Sequence, residues 1–154
     1  MATVYSVLPF DLHGQCFALP AQQVVRVLPA LLTLPLPAAP RAVAGLCNVH
    51  GRLLPVLDIR AHFGWPAAEP RRWDHWIWAR TGRRELLLPV SRCHPVCELE
   101  ADFYPVDELH IPGRLLQGVL RSEAGVLLLK DLETFLTAAE DAALGEAMAD
   151  HVVV

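Results

Sequence analysis

A chain of 154 residues, 53% of them apolar, holds enough material for one domain or two small lobes around a sizeable core, which excludes a disordered chain. Its formal charge of −4 and isoelectric point near 5.9 give it no whole-protein attraction to nucleic acid or to an anionic membrane. The start, Met1-Ala2-Thr3-Val4-Tyr5, has no basic stretch ahead of an apolar one, and the most apolar segment, 28–40, is broken by Pro29, Pro35, Pro37 and Pro40, so the sequence predicts neither a secretory signal nor a spanning helix and places the protein in the cytoplasm.

In chain order the elements read mostly as strand: 4–12, 15–19, 43–49, 52–57, 73–80, 85–90, 96–99, 115–120 and 126–129. His13-Gly14, His50-Gly51, Thr81-Gly82 and Ala124-Gly125 separate them as turns, with glycines that permit positive φ. Two helices interrupt the pattern, a short one over 59–63 and a longer one over 131–148, with Asp58 and Asp131 placed to cap exposed N–H groups. A further helical turn is expected around 21–25. Leu132, Phe135, Leu136, Ala139, Ala143 and Leu144 form the apolar stripe of the C-terminal helix.

The chain echoes itself. Leu19-Pro20, Gly45 and Asp58 recur as Leu88-Pro89, Gly118 and Asp131, at offsets of 69, 73 and 73 residues. Each half encloses a strand, a glycine-bearing turn and an apolar strand ending at a helix start, which is the signature of two related units.

The candidate chemistry is thin. Without an export signal, four cysteines read as reduced thiols, with Cys16 and Cys47 as small buried residues inside strands. Cys93-His94-Pro95-Val96-Cys97 clusters metal-type ligands but lacks a second ligand pair. Cys47, His50 and Asp58 lack the local signature of an activated nucleophile, and Asp58 with His62, four apart, suits a hydrogen bond or cap as well as a metal. No cofactor, metal or catalytic residue is expected. A rival reading is a single-stranded nucleic-acid module built on 71–84, where Arg71, Arg72, Arg80, Arg83 and Arg84 interleave with Trp73, Trp76 and Trp78. Strand parity argues against it, because neither face of 73–80 stacks aromatics over charges, and the three indoles read better as core or as packing between lobes. Charge is also polarised: 71–92 holds six basic and two acidic residues, while from Glu98 onward there are twelve acidic and three basic. That pattern suits a solvated helix face or an oriented docking surface.

Phe10-Asp-Leu-His-Gly-Gln-Cys-Phe17, Val24-Val25-Arg26-Val27, Pro40 and the run from Gly45 to Gly64, with Asn48-Val49-His50-Gly51 as its turn, together resemble the CheW family of chemotaxis coupling proteins over residues 10–136. The resemblance implies an all-β fold of two SH3-like five-stranded pseudo-barrels with a C-terminal helix, one domain whose two lobes span about 13–82 and 83–148 and share the N-terminal strand. It implies a non-enzymatic adaptor that couples a chemoreceptor, through its cytoplasmic hairpin tip, to the regulatory domain of a CheA-type histidine kinase, with no nucleic acid and no membrane insertion. The receptor-facing groove would include Val24, Arg26, Asn48, Val49 and His50, while Leu53, Leu54, Val56, Leu57 and Ile59 build the first barrel. Three positions depart from the family pattern: Arg26 where Glu is usual, His50 where Arg is usual, and Ser91 where Asp is frequent. Arg26 and His50 are expected near one another, making an electropositive groove in mild acid where a Glu and Arg pair would be near neutral.

Overall fold

The computed structural model describes residues 3–69, 71–106, 116–130 and 132–152. Its elements are β1 (Thr3–Leu12), β2 (Gln15–Pro20), a 3-10 turn (Ala21–Gln23), β3 (Val24–Pro29), β4 (Val43–Val49), β5 (Arg52–Leu57), α1 (Ile59–Phe63), β6 (His75–Arg80), β7 (Glu85–Val90), β8 (Arg92–Cys93), β9 (Cys97–Pro105), β10 (Gly118–Ser122), β11 (Gly125–Leu129) and α2 (Ala138–Val152).

The two hairpins at His13-Gly14 and His50-Gly51 form as their sequences dictate. Leu12 pairs with Gln15 and Val49 with Arg52, leaving two-residue loops whose φ angles are +53° and +72°, and +52° and +85°. Positive φ at both loop positions is the twist that joins antiparallel strands without splaying them. Gly82 does not take positive φ; the β6–β7 turn is instead held by the Thr81 hydroxyl, which accepts the N–H groups of Arg83 and Arg84.

Two sheets result, as the all-β expectation requires. In the first, the order β2-β11-β10-β9-β1 closes on itself because β1 also pairs β2, and β8 adds to the free side of β1. The second runs β3-β6-β7-β5-β4. Its end strands do not pair with each other; Leu34, in the proline-rich segment, covers the edge of β4 with two 2.8 Å hydrogen bonds to Leu46. Both edge strands also carry a bulge, at Val25 and at Ala44, which disfavours edge-to-edge association. Residues 75–80 form an interior strand of this sheet, between β3 and β7.

Sheet membership cuts the chain differently from a division at 13–82 and 83–148, because the hairpins are exchanged. β1 and β2 join β9, β10 and β11, while β6 and β7 join β3, β4 and β5. The two parallel pairings are equivalent: β2 meets β11 with Ala18 opposite Leu129, and β7 meets β5 with Leu87 opposite Val56. Shifting Ala18 by 69 and Val56 by 73 residues gives Leu87 and Leu129, so the sequence echo is a structural one. The capping role expected of Asp131 lies outside the described residues.

Strands buried on both faces divide the apolar side chains into three cores. Trp76, Trp78, Leu87, Leu54, Val56 and Cys47 fill the second sheet; Val7, Ala18, Ala101, Leu120 and Leu129 fill the first. Alternate residues of the same strands, Leu8, Phe10, Phe17, Leu19, Ile77, Leu86 and Leu88, meet in a shared core between them, with Leu57 and Ile59. Leu132, Phe135, Leu136, Leu144 and Ala147 close that core from the C-terminal side.

The long helix begins at Ala138 rather than 131. Thr137 and Glu140 explain why: the Thr137 hydroxyl accepts the Glu140 N–H at 3.1 Å and the Glu140 carboxylate accepts the Thr137 N–H at 2.9 Å, a reciprocal cap. Part of the charge polarity is spent here, inside the molecule. Arg84 donates to the Asp141 carboxylate at 3.0 Å, Arg83 approaches it at 3.9 Å, and the Gly82 N–H donates to Glu133 at 2.9 Å. The Arg84 and Asp141 side chains are about four-fifths buried. Asp141→Asn is expected to cost about 1–2 kcal/mol in a thermal or urea melt, and the deficit should shrink in molar salt; a salt-independent deficit would assign it to lost packing instead.

Candidate functional site

The residues expected to face a partner lie on the two edges of the second sheet. Val24 and Arg26 are on β3, and Asn48, Val49 and His50 run from the end of β4 into its turn. Arg26, Asn48 and His50 are exposed and Val24 is half-buried. Val49 is 4% exposed and packs with Leu54 and Trp76, so its side chain supports the surface from inside. Asn48 stabilises the turn by accepting the Gly51 N–H at 2.9 Å. Neither Arg26 nor His50 has a side-chain hydrogen bond or ion pair among the described residues.

Trp78 joins the two edges. On one side it is the cross-strand partner of Arg26. On the other, Arg52, which pairs with Val49 beside the His50 turn, places its guanidinium 5.7 Å from the Trp78 ring centroid. Glu85 ties the group together: one carboxylate oxygen accepts the Trp78 indole N–H at 3.1 Å and the other is ion-paired with Arg52. A cation over an indole face, fixed by a shared carboxylate, orders long side chains that would otherwise move freely. Arg52, Trp78 and Glu85 were not among the expected site residues. Glu85, the acid opposite Arg80 at a basic hairpin, was the available signal.

Exposed apolar side chains rim this surface. Val25 and Val27 are each 39% exposed on β3, and Leu32 and Leu34 stand open in the proline-rich segment that follows. Valine and leucine at an open sheet edge beside arginine and tryptophan give a mixed surface of the kind proteins use to bind one another.

The other candidates resolve into structure. Asp58 caps α1, accepting the Ala61 N–H at 3.3 Å, and His62 turns its ring onto Phe135 at 4.2 Å between centroids. His94 pairs with Asp11 at 2.9 Å, and the Cys93 N–H donates to His75. Among the described residues no three His, Cys, Asp or Glu groups converge to hold a metal. Cys47 is buried as expected, but Cys16 is exposed: it lies opposite Asp11 near the turn, where its thiol donates to the carboxylate at 3.5 Å. Burial first, and the nearby Asp11 charge second, push the Cys93 thiol up to about 12, and burial raises Cys47 as well. None of these is an activated thiolate.

The indoles of 71–84 do not form a stacking platform. Trp76 and Trp78 are core residues, Arg83 and Arg84 face α2, and of the three only Trp73 is open, at 70% exposure, which corrects its expected place in the core.

Residues 6–140 match the CheW-like domain family. Over 109 residues the chain is 29% identical to the chemotaxis protein CheW of Rhizobium meliloti (strain 1021), covering 69% of this chain and 70% of that protein. Its fold matches the crystal structure of the scaffolding protein TtCheW from Thermoanaerobacter tengcongensis with a TM-score of 0.76 at 18% identity, over 88% of this chain and 95% of that one.

Proposed function

From the premise that this chain belongs to the CheW-like domain family, we propose that it is a non-enzymatic cytoplasmic adaptor in chemotaxis-type signalling, coupling a chemoreceptor's cytoplasmic hairpin tip to the regulatory domain of a CheA-type histidine kinase. The observation that carries this reading is the surface around Trp78. It is exposed, mixed apolar and charged, built on the edges of a rigid sheet, and free of any activated nucleophile or converging metal ligands among the described residues. Arg26, Asn48 and His50 touch the receptor tip in this reading, with Val24 at the margin and Val49 beneath. Among the described residues no helix is long and apolar enough to cross a membrane.

Arg26 and His50 set partner choice. Both side chains are unpaired among the described residues, so the Arg26 charge and the His50 ring are free to meet a partner, and a cognate tip should offer a carboxylate where a conventional one would meet a like-charge clash. The test exchanges both: Arg26→Glu with His50→Arg, followed by affinity measurements against the co-encoded receptor tip and one from a conventional chemotaxis system. Binding should weaken to the first and tighten to the second by about tenfold, roughly 1.4 kcal/mol. Changes below about twofold in both would remove the groove-charge reading. Failure of the unmodified protein to bind either the receptor tip or the kinase regulatory domain would remove the adaptor reading itself.

A further inference from the structure

The five strands of the second sheet carry three arginines, Arg26 on β3, Arg52 on β5 and Arg80 on β6, and a single acid, Glu85 on β7. All four lie on one face. Arg26 stands directly across from Trp78, while Arg80 follows Trp78 by two residues and stands across from Glu85. Arg52 precedes Leu54 by two residues, and Glu85 precedes Leu87 by two. Because side chains alternate along a strand, these charged residues continue the rows of Trp78, Leu54 and Leu87 that fill this sheet's own core. The apolar core thus ends in a charged rim, with all three arginines exposed.

The charges of that rim do not balance. Glu85 gives one carboxylate oxygen to the Trp78 indole N–H and the other to Arg52, so both are committed. Arg26 and Arg80 have no ion pair among the described residues. Asp141 does not reach them, since it meets Arg84, whose strand parity is the opposite one, on the side of the shared core. Two uncompensated guanidinium charges therefore flank one neutralised pair. Arg26 and Arg80 are diagonal neighbours across β3 and β6, a spacing of roughly 7–8 Å, and their long side chains can close on two groups about 5–6 Å apart, as residues one turn apart on a helix are. Nucleic acid fits this face less well. Trp78 is 8% exposed and its N–H is taken, so no indole is open here for a base to stack on.

On the adaptor reading above, on which this rests, we propose that Arg80 is a further residue that selects the partner, and that Arg26 and Arg80 together take two carboxylates one helical turn apart on the receptor tip. Arg52, held over Trp78 by Glu85, forms the fixed floor between them. Partner choice then depends on the spacing of acids on the tip as well as on their presence.

The test measures affinity for the co-encoded receptor tip and, separately, for the kinase regulatory domain. Arg80→Gln should weaken tip binding about tenfold, Arg26→Gln by a similar factor, and the two together about a hundredfold, with binding to the kinase domain unchanged. The Trp78 indole N–H resonance, held by Glu85, reports that each variant is folded. Changing each Asp and Glu of the tip to Gln in turn should reveal two acids, three or four positions apart: the effect of losing one should not add to that of Arg80→Gln, and the effect of losing the other should not add to that of Arg26→Gln. Full tip affinity in folded Arg80→Gln, an equal loss toward the kinase domain, or the absence of any tip acid coupled to Arg80 would overturn the proposal. Tighter binding of oligothymidylate than of the tip would overturn it in favour of a nucleic-acid face. If the unmodified protein binds neither tip nor kinase domain, the adaptor reading itself falls, and the Arg80 assignment with it.

Discussion

Gly45→Ala should lower stability by about 4 kcal/mol, a large share of the total for a domain this size. Gly45 sits at φ +154°, and a Cβ there would lie 2.2 Å from the Leu34 carbonyl oxygen, the atom that accepts the Leu46 N–H and covers the edge of β4. Neither atom can retreat, since both belong to backbone engaged in hydrogen bonds. Gly118, its counterpart in the echo, lacks the positive φ but meets the same obstacle, with Tyr104 O at 2.5 Å and the Phe103 ring at 2.4 Å. Gly14 separates the two causes: its φ is +72° but nothing lies within 4 Å, so Gly14→Ala should cost only about 1 kcal/mol. Urea midpoints for the three variants decide it. Equal losses at Gly45 and Gly14 would mean that backbone conformation alone, and not the close crossing, selects glycine.

The same pair of glycines shows how far the sequence reaches. Their recurrence 73 residues apart marks two related units, and the physical cause, another backbone passing where a Cβ would stand, needs the fold to be seen. Strands flanked by tight turns were legible because parity survives in them: 43–49, 52–57 and 85–90 are bounded as expected. β3 was not. Val24-Val25-Arg26-Val27-Leu28-Pro29 has no clean alternation because Val25 is bulged, and the residues before it suggested a helical turn that extends only over Ala21–Gln23. Leu132, Phe135 and Leu136 imitate helical spacing while packing from irregular chain, and the reciprocal cap at Thr137 and Glu140 was the overlooked stop sign. Cys16 misleads in the same way, since Phe17 and Leu19 face the shared core and Cys16 falls on the opposite side at the open end beside Asp11.

For the site, residue types were legible and their assembly was not. Arg26 adjoins Trp78 only through a pairing between strands about fifty residues apart, and Arg52 reaches the same ring from β5, on the other side of β7. Arg26 and His50, expected near one another, stand on opposite edges of the five-stranded sheet, and the Arg52–Trp78–Glu85 group lies on the strands between them, which strand patterns alone do not reveal. Likewise, the basic 71–92 segment and the acidic C-terminal region look like separate docking surfaces in the sequence, whereas Arg84 and Asp141 show that part of each faces the other.

Phe135→Ala should cost about 3–5 kcal/mol, through a cavity in the shared core and through the chain's only lysine. Lys130 is fully buried, with Nζ 4.6 Å from the Phe135 ring centroid and 5.5 Å from that of Phe63. Its backbone N–H donates to Ala18 O at 3.0 Å, fixing the end of β11 against β2 so that the side chain enters the core at a set place. A buried ammonium depends on every favourable neighbour it has, and an aromatic face supplies attraction that an aliphatic group of similar size does not. Phe135→Leu, which retains most of the apolar volume, should therefore still lose about 1–2 kcal/mol in the native background. With Lys130→Met already present there is no charge for the ring to stabilise, and the same Phe135→Leu change should cost measurably less. Urea unfolding of the four proteins in this double-mutant cycle gives the coupling directly, expected at about 1 kcal/mol. A coupling near zero would show that Phe135 serves only as volume, and that the cation above it is held by its other contacts.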